Sequence, residues 1–127
     1  MCGAEHYRKE DIMLFNNLKE CKKYFKEYRY IRNTMNKYIE CEKMHGLNEQ
    51  DATILTYMQN KFIAMSERIN SFINDIDDTY VKQIFCMHFL SGYTWEKISI
   101  FFGGVASCEA YRKTVERYFN KYFSNEI

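Results

Sequence analysis

The sequence predicts an all-α fold, and three observations carry that prediction. None of the 127 residues is proline, so nothing breaks a long helix from within. Leu55, Met58, Phe62, Met65, Ile69, Phe72 and Ile76 follow one another in alternating steps of three and four, the period of a helix with one apolar seam. The chain is also punctuated by residues that stop and start helices: Gly46 before Asn48, Gly92 before Thr94, and Gly103-Gly104 before Ser107.

Taken in order, the first segment, about Tyr7 to His45, reads as one long helix. Leu14, Leu18, Cys21, Phe25 and Tyr28 hold the helical spacing, and the seam continues through Ile31, Met35, Tyr38 and Ile39. Arg32 falls where that seam calls for an apolar residue. Gly46 ends the helix and Leu47 can fold back on it. Asn48 caps the second helix, with Glu49 and Asp51 in its first turn. So short a connection implies an antiparallel, coiled-coil-like hairpin over residues 1–76. At 1.5 Å per residue the first helix would run about 58 Å and the second about 40 Å. The overhang would carry Ile12, Met13, Leu14, Phe15 and Leu18, an apolar stripe that must pack on the C-terminal segment or on a second copy. A two-fold homodimer is the simplest form of the latter.

The polar run Asn74-Asp75-Ile76-Asp77-Asp78 marks a boundary, and residues 77–127 read as three shorter helices. The first, about Asp78 to Phe89, carries Val81, Ile84, Phe85, His88 and Phe89 on one face. After Ser91-Gly92-Tyr93, Thr94 caps a helix from Trp95 to Phe102 with Trp95, Ile98, Ser99 and Phe102 on its inner side. Beyond Gly103-Gly104, Ser107 caps a last helix to about Phe123, with Tyr111, Val115, Tyr118 and Tyr122 facing inward.

Eighteen Lys and Arg face seventeen Asp and Glu, so net charge names no partner and only local patches can. No stretch approaches the roughly 18 apolar residues of a membrane span, and Met1 to Asp11 has no signal-peptide core; a cytoplasmic protein with no membrane association is expected. The five cysteines include no CxxC pair, and reduced thiols are expected. Cys2/His6 and Cys41/His45 are i, i+4 pairs that only an antiparallel dimer would bring together, so neither a metal nor a cofactor is expected. No nucleophile with a base, no paired carboxylates in an apolar setting and no phosphate-cradling loop is evident, and no enzymatic activity is expected. Trp95 and His88, both on apolar faces, read as packing residues.

Helix, tight glycine turn, short helix, turn and longer helix is the helix-turn-helix plan. Thr94 would leave N–H groups at a helix start for a DNA phosphate. On the last helix Ser107, Glu109, Arg112, Lys113 and Glu116 point away from the apolar stripe in the first turns, where base edges are read. Arg112 or Lys113 suits guanine, Glu109 suits cytosine N4, and Arg117 and Lys121 suit backbone phosphates. Residues 19–37 hold seven cations (Lys19, Lys22, Lys23, Lys26, Arg29, Arg32, Lys37) against Glu20 and Glu27, a net of +5. That face is either merely solvated or a phosphate-contacting arm.

Gly92-x-Thr94-Trp95-x-x-Ile98-Ser99 resembles a run found in phage and prophage transcription regulators of Gram-positive bacteria, whose helix-turn-helix is like the fourth region of bacterial sigma factors. Gly103-Gly104, Tyr111-Arg112-Lys113 and Glu116-Arg117-Tyr118-Phe119 are similar to the ending of some members. The resemblance covers about Asp77 to Tyr122. Ser99 departs from the usual Ala, and Val105-Ala106 replaces a more polar turn. The resemblance implies sequence-specific control of transcription on double-stranded DNA, encoded by a phage or mobile element. The rival reading is a helical interaction module that binds RNA polymerase or another host protein without reading DNA. From Asp78 onward six Lys and Arg oppose five Asp and Glu, a net of only +1, where DNA binders usually show a plainer basic face.

Overall fold

The computed structural model describes residues 14–124, and no strand occurs among them. The helix α1 spans Leu18–His45, so the long first helix expected from about Tyr7 does not run unbroken to His45. Leu14 to Asn17 are not helical. Asn17 Oδ1 accepts from the Glu20 N–H at 2.8 Å, and the Glu20 carboxylate accepts from the Asn16 N–H at 2.9 Å. This reciprocal arrangement, close to a capping box, satisfies N–H groups that a helix start otherwise leaves bare. Phe15 instead folds back, fully buried, against Tyr24, Phe25 and Phe72 at 5.1, 6.1 and 5.9 Å between ring centroids. The Leu14–Leu18 part of the expected overhang thus packs on its own hairpin. Ile12 and Met13, like Cys2 and His6, lie outside the described residues.

α1 ends at Gly46, whose N–H bonds Glu42 O at 3.0 Å. Asn48 Oδ1 then accepts from Asp51 N–H at 2.7 Å and starts α2, Glu49–Asn74. The two run antiparallel: Tyr28 stacks on Phe62 at 5.0 Å, Glu27 pairs with Lys61 at 2.9 Å, and Phe25 meets Phe72 at 5.2 Å. The α2 seam faces inward along its length, with Leu55, Met65, Ile69 and Phe72 buried and Met58 and Phe62 partly so, and Ile76 is buried just past the helix end.

Asp78 Oδ1 accepts from the N–H groups of Tyr80 and Val81 and opens α3, Thr79–Phe85. The expected helix to Phe89 does not stay α-helical. Residues Cys86–Leu90 form a π-helical turn, closed by Ser91 N–H to Cys86 O at 2.9 Å. The extra residue per turn shifts the register, so Met87 is buried beside Ile84, Phe85, His88 and Phe89.

That turn explains the polar break in the α1 seam. Arg32, only 6 % exposed, donates from its guanidinium to Phe89 O and to Asn33 Oδ1, so the buried cation is hydrogen-bonded to a carbonyl that the widened turn presents. Gly92 has φ +79°, and a Cβ placed there would meet the Arg32 guanidinium at 2.8 Å. Both the backbone angle and the close approach call for glycine.

Thr94 caps α4, Trp95–Phe101, and α5 runs Cys108–Ser124 after the diglycine turn. One core joins the five α-helices of the described residues, with Ile98 bringing in α4. Phe25 of α1, Phe72 of α2, Phe85 of α3 and Phe119 of α5 meet at centroid separations of 5.2–6.2 Å, mostly in edge-to-face arrangements favoured by aromatic quadrupoles. The boundary expected at residues 76 and 77 falls in the Asp75–Asp78 connection, and this core passes across it.

Candidate nucleic-acid interface

The candidate site begins with the turn between α4 and α5. Gly103 and Gly104 both have positive φ, 96° and 72°. Gly104 N–H returns to Ser99 O at 2.8 Å, and the Ser99 hydroxyl donates to Ala106 O at 2.8 Å. Ser99, expected on the inner side of α4, is buried there, and its hydroxyl ties the turn to that helix. Ser107 Oγ accepts from Ala110 N–H at 3.2 Å and caps α5. Tyr111, Val115 and Phe119 are the buried residues of α5, at steps of four, and Tyr118 and Tyr122 are only partly covered. The inward face is therefore one residue away from the expected Tyr118–Tyr122 line.

Helical spacing decides which polar side chains of α5 share a surface. At 3.6 residues per turn, Glu109, Arg112, Lys113 and Glu116 fall within about 100° of one another, whereas Lys121 lies about 180° from Arg112. Ser107, Glu109, Arg112 and Lys113 are exposed, and Glu116 is half-buried. Arg112 Nε donates to Glu109 Oε1 at 3.1 Å, with a second contact from its terminal nitrogen to Glu109 Oε2. That guanidinium holds the Glu109 carboxyl below its ordinary pKa. Glu116 accepts from Lys22 of α1 at 2.7 Å. Both carboxylates expected to read bases are thus engaged by cations of the chain itself.

Arg117 and Lys121 were expected to meet DNA phosphates flanking the bases read by Arg112 or Lys113. They instead border a separate cleft of about 710 Å³ between the α2–α3 connection and α5, where Asp75, Asp77 and Asp78 also lie. An acidic setting of this kind opposes a polyanion. Thr94 is exposed, and its Oγ1 accepts from Lys97 N–H at 3.1 Å. One of the N–H groups expected to be free for a phosphate is thereby used by the cap.

The basic stretch of α1 divides by facing. Arg32 is internal; Lys19, Lys23 and Lys37 are exposed; Lys22, Lys26 and Arg29 line a groove with Trp95, Arg112 and Glu116. Sequence reasoning had no means of joining this stretch to α5, because the Lys22–Glu116 pair closes a gap of 94 residues.

His88 stands behind that groove as a packing residue. It is 4 % exposed, stacks on Trp95 at 3.7 Å, and hydrogen-bonds through Nδ1 to Tyr93 O at 2.8 Å. Burial, assisted by the cations Arg29 and Arg32, pushes its pKa down to about 4 against the Tyr93 bond. The ring is neutral near pH 7 and donates to that carbonyl. Cys21 is buried, with its thiol pushed up to about 12; Cys41 and Cys108 are exposed and free. Among the described residues no group of His, Cys, Asp and Glu is placed to hold a metal, and no helix is long and apolar enough to cross a membrane.

Compared with protein-family models, with curated proteins and with solved structures, the chain matches none.

Proposed function

We propose that the chain is a sequence-specific DNA-binding regulator of transcription that reads duplex DNA with the first half of α5. The observation that carries this reading is the presentation of α5. A turn of two positive-φ glycines, tied to α4 through Ser99, leaves Ser107, Glu109, Arg112 and Lys113 exposed at the helix start. The N-terminal turns of a recognition helix are where base edges are met. Arg112 brings the guanidinium fork suited to guanine O6 and N7, and leaving Glu109 for a base is a small cost because exposed ion pairs contribute little. The Gly92-Tyr93-Thr94-Trp95 resemblance supports a phage or mobile-element regulator acting in the cytoplasm; the two-fold dimer expected from the apolar overhang loses support, because Leu14, Phe15 and Leu18 pack on their own hairpin.

Selection of bound duplexes from a random-sequence pool tests this. A short enriched motif, with affinity falling steeply as salt rises, is the expected result. Uniform retention of the pool contradicts it.

A second reading has an observation of its own. Ile100, Phe101 and Val105 on α4 and its turn are 69, 58 and 92 % exposed, an apolar cluster of the kind that meets another protein. In that reading RNA polymerase or another protein is the partner. Retention of the pool without enrichment, together with salt-insensitive capture of polymerase, is its signature.

A further inference from the structure

We propose that α1 supplies a second row of backbone contacts, in which Lys22, Lys26 and Arg29 hold one phosphate strand of duplex DNA across the Trp95 edge, beside the base-reading Arg112 of α5. The inference rests on the DNA-binding reading and adds to it a surface outside the three C-terminal helices.

Three observations converge on this row. The first is placement. Residues 22, 26 and 29 stand at i, i+4 and i+7, one face of a helix, and the fold turns that face onto the exposed start of α5, where all three line a groove of about 140 Å³ with Arg112. Over seven residues the row is about 10 Å long, the length of about three phosphates of one strand at 3.4 Å each along the duplex axis. Second, the groove has donors to spare. Arg29 lines the groove, and its Nε has no hydrogen-bond partner within the fold. The only acid among the groove residues is Glu116, and it is shared with Lys22. The third is charge supply. From Asp78 onward the chain carries a net of +1, against +5 over residues 19–37. Binding to a polyanion draws mainly on phosphate neutralisation, so cations are needed from outside the C-terminal helices, and α1 is where they lie. His88 senses the same field, since Arg29 and Arg32 both oppose its protonation.

The test is a fluorescence-anisotropy titration of the full chain with a mixed-sequence duplex between 50 and 200 mM salt. Lys26 is exposed, so Lys26→Gln leaves the fold intact, as an unchanged Tm verifies. One lost phosphate contact should lower the salt slope by about 0.9, so that the variant loses about threefold less affinity than the parent across that range, on every sequence. Lys43→Gln is the control. It lies 17 residues further along α1, about 25 Å away and beyond the Debye length of roughly 10 Å at 0.1 M salt; its slope should match the parent's. Glu116→Gln should tighten binding by about threefold at 50 mM salt, because it frees Lys22 for a phosphate.

If Lys26→Gln keeps the parent slope while Arg112→Ala loses binding, the α1 row is wrong and the α5 reading stands. A parent chain that binds no duplex at 50 mM salt overturns both. If polyglutamate binds with the same slope and the same Lys26 dependence, the row serves an acidic protein instead, and the DNA assignment is overturned.

Discussion

The two ends of the helical hairpin are made from the same pair of helices and behave as different materials. At the near end, Phe15, Phe25 and Phe72 are fully buried and meet Phe85 and Phe119 of the C-terminal helices. Towards Gly46 the buried set thins to Met35 and Leu55, and Met44, Ile54 and Tyr57 stand exposed. The near end is a junction where four helices share one aromatic core. The far end is a two-stranded arm held by its own seam. Whatever α5 binds, its position is therefore set by the near end, and the far end can change without disturbing it.

Substitutions graded along the hairpin should reproduce that contrast. Phe72→Ala is expected to have the largest effect, about 3–5 kcal/mol by denaturant unfolding, as for a large ring removed from a closed core. A loss below about 1 kcal/mol would mean that the two halves fold on separate cores. Next comes pH. His88 has an ordinary pKa of 6.5 and about 4 when folded, so the unfolded chain takes up the proton first. Stability is then complete above about pH 6.5 and falls as the pH drops towards about 4, by up to about 3 kcal/mol. His88→Gln should flatten the profile in that window; an unchanged profile would assign the acid sensitivity elsewhere.

Midway along, Phe62 is only partly buried and stacks on Tyr28, so Phe62→Ala should cost about 1–3 kcal/mol, less than the 3–5 typical of a fully buried ring. Gly92→Ala acts at the junction through backbone and contact together, since it forces a positive φ and presses on the Arg32 guanidinium; a fall in stability of about 1–3 kcal/mol is expected. At the exposed end, Tyr57→Ala should stay within about 0.5 kcal/mol. Equal losses for Phe72 and Tyr57 would erase the distinction between the two ends.

Much of this architecture was legible in the residues. The α2 seam, the caps at Asn48, Thr94 and Ser107, and the glycine turns are local features, written in spacing and side-chain chemistry. The start of α1 was also written, in Asn17 and Glu20, but the apolar spacing of Leu14 and Leu18 continues through it and suggests a longer helix. The π-turn left no such mark, because Ile84 to Leu90 is apolar at nearly every position and hides the register that the turn shifts. In α5, Tyr118 and Phe119 are both large and aromatic, so the period alone could not choose between them. That choice sets which face of α5 meets solvent, while the separation of Lys121 from Arg112 follows from helical spacing alone. Arg32 looked like a flaw in the seam until the carbonyl it serves, 57 residues away, was in place. The groove joining α1 to α5 exists only in the folded chain.

The central claim is that α5 reads bases from its first turns. Its most direct test is the affinity of Arg112→Ala and Lys121→Ala for a selected site and for a scrambled duplex. Arg112→Ala should lose about 1–3 kcal/mol of discrimination at one base pair. Lys121, two and a half turns further along α5 on its opposite face and beside three aspartates, should leave discrimination unchanged. If Arg112→Ala lowers affinity equally for both duplexes, α5 does not read sequence and the claim fails.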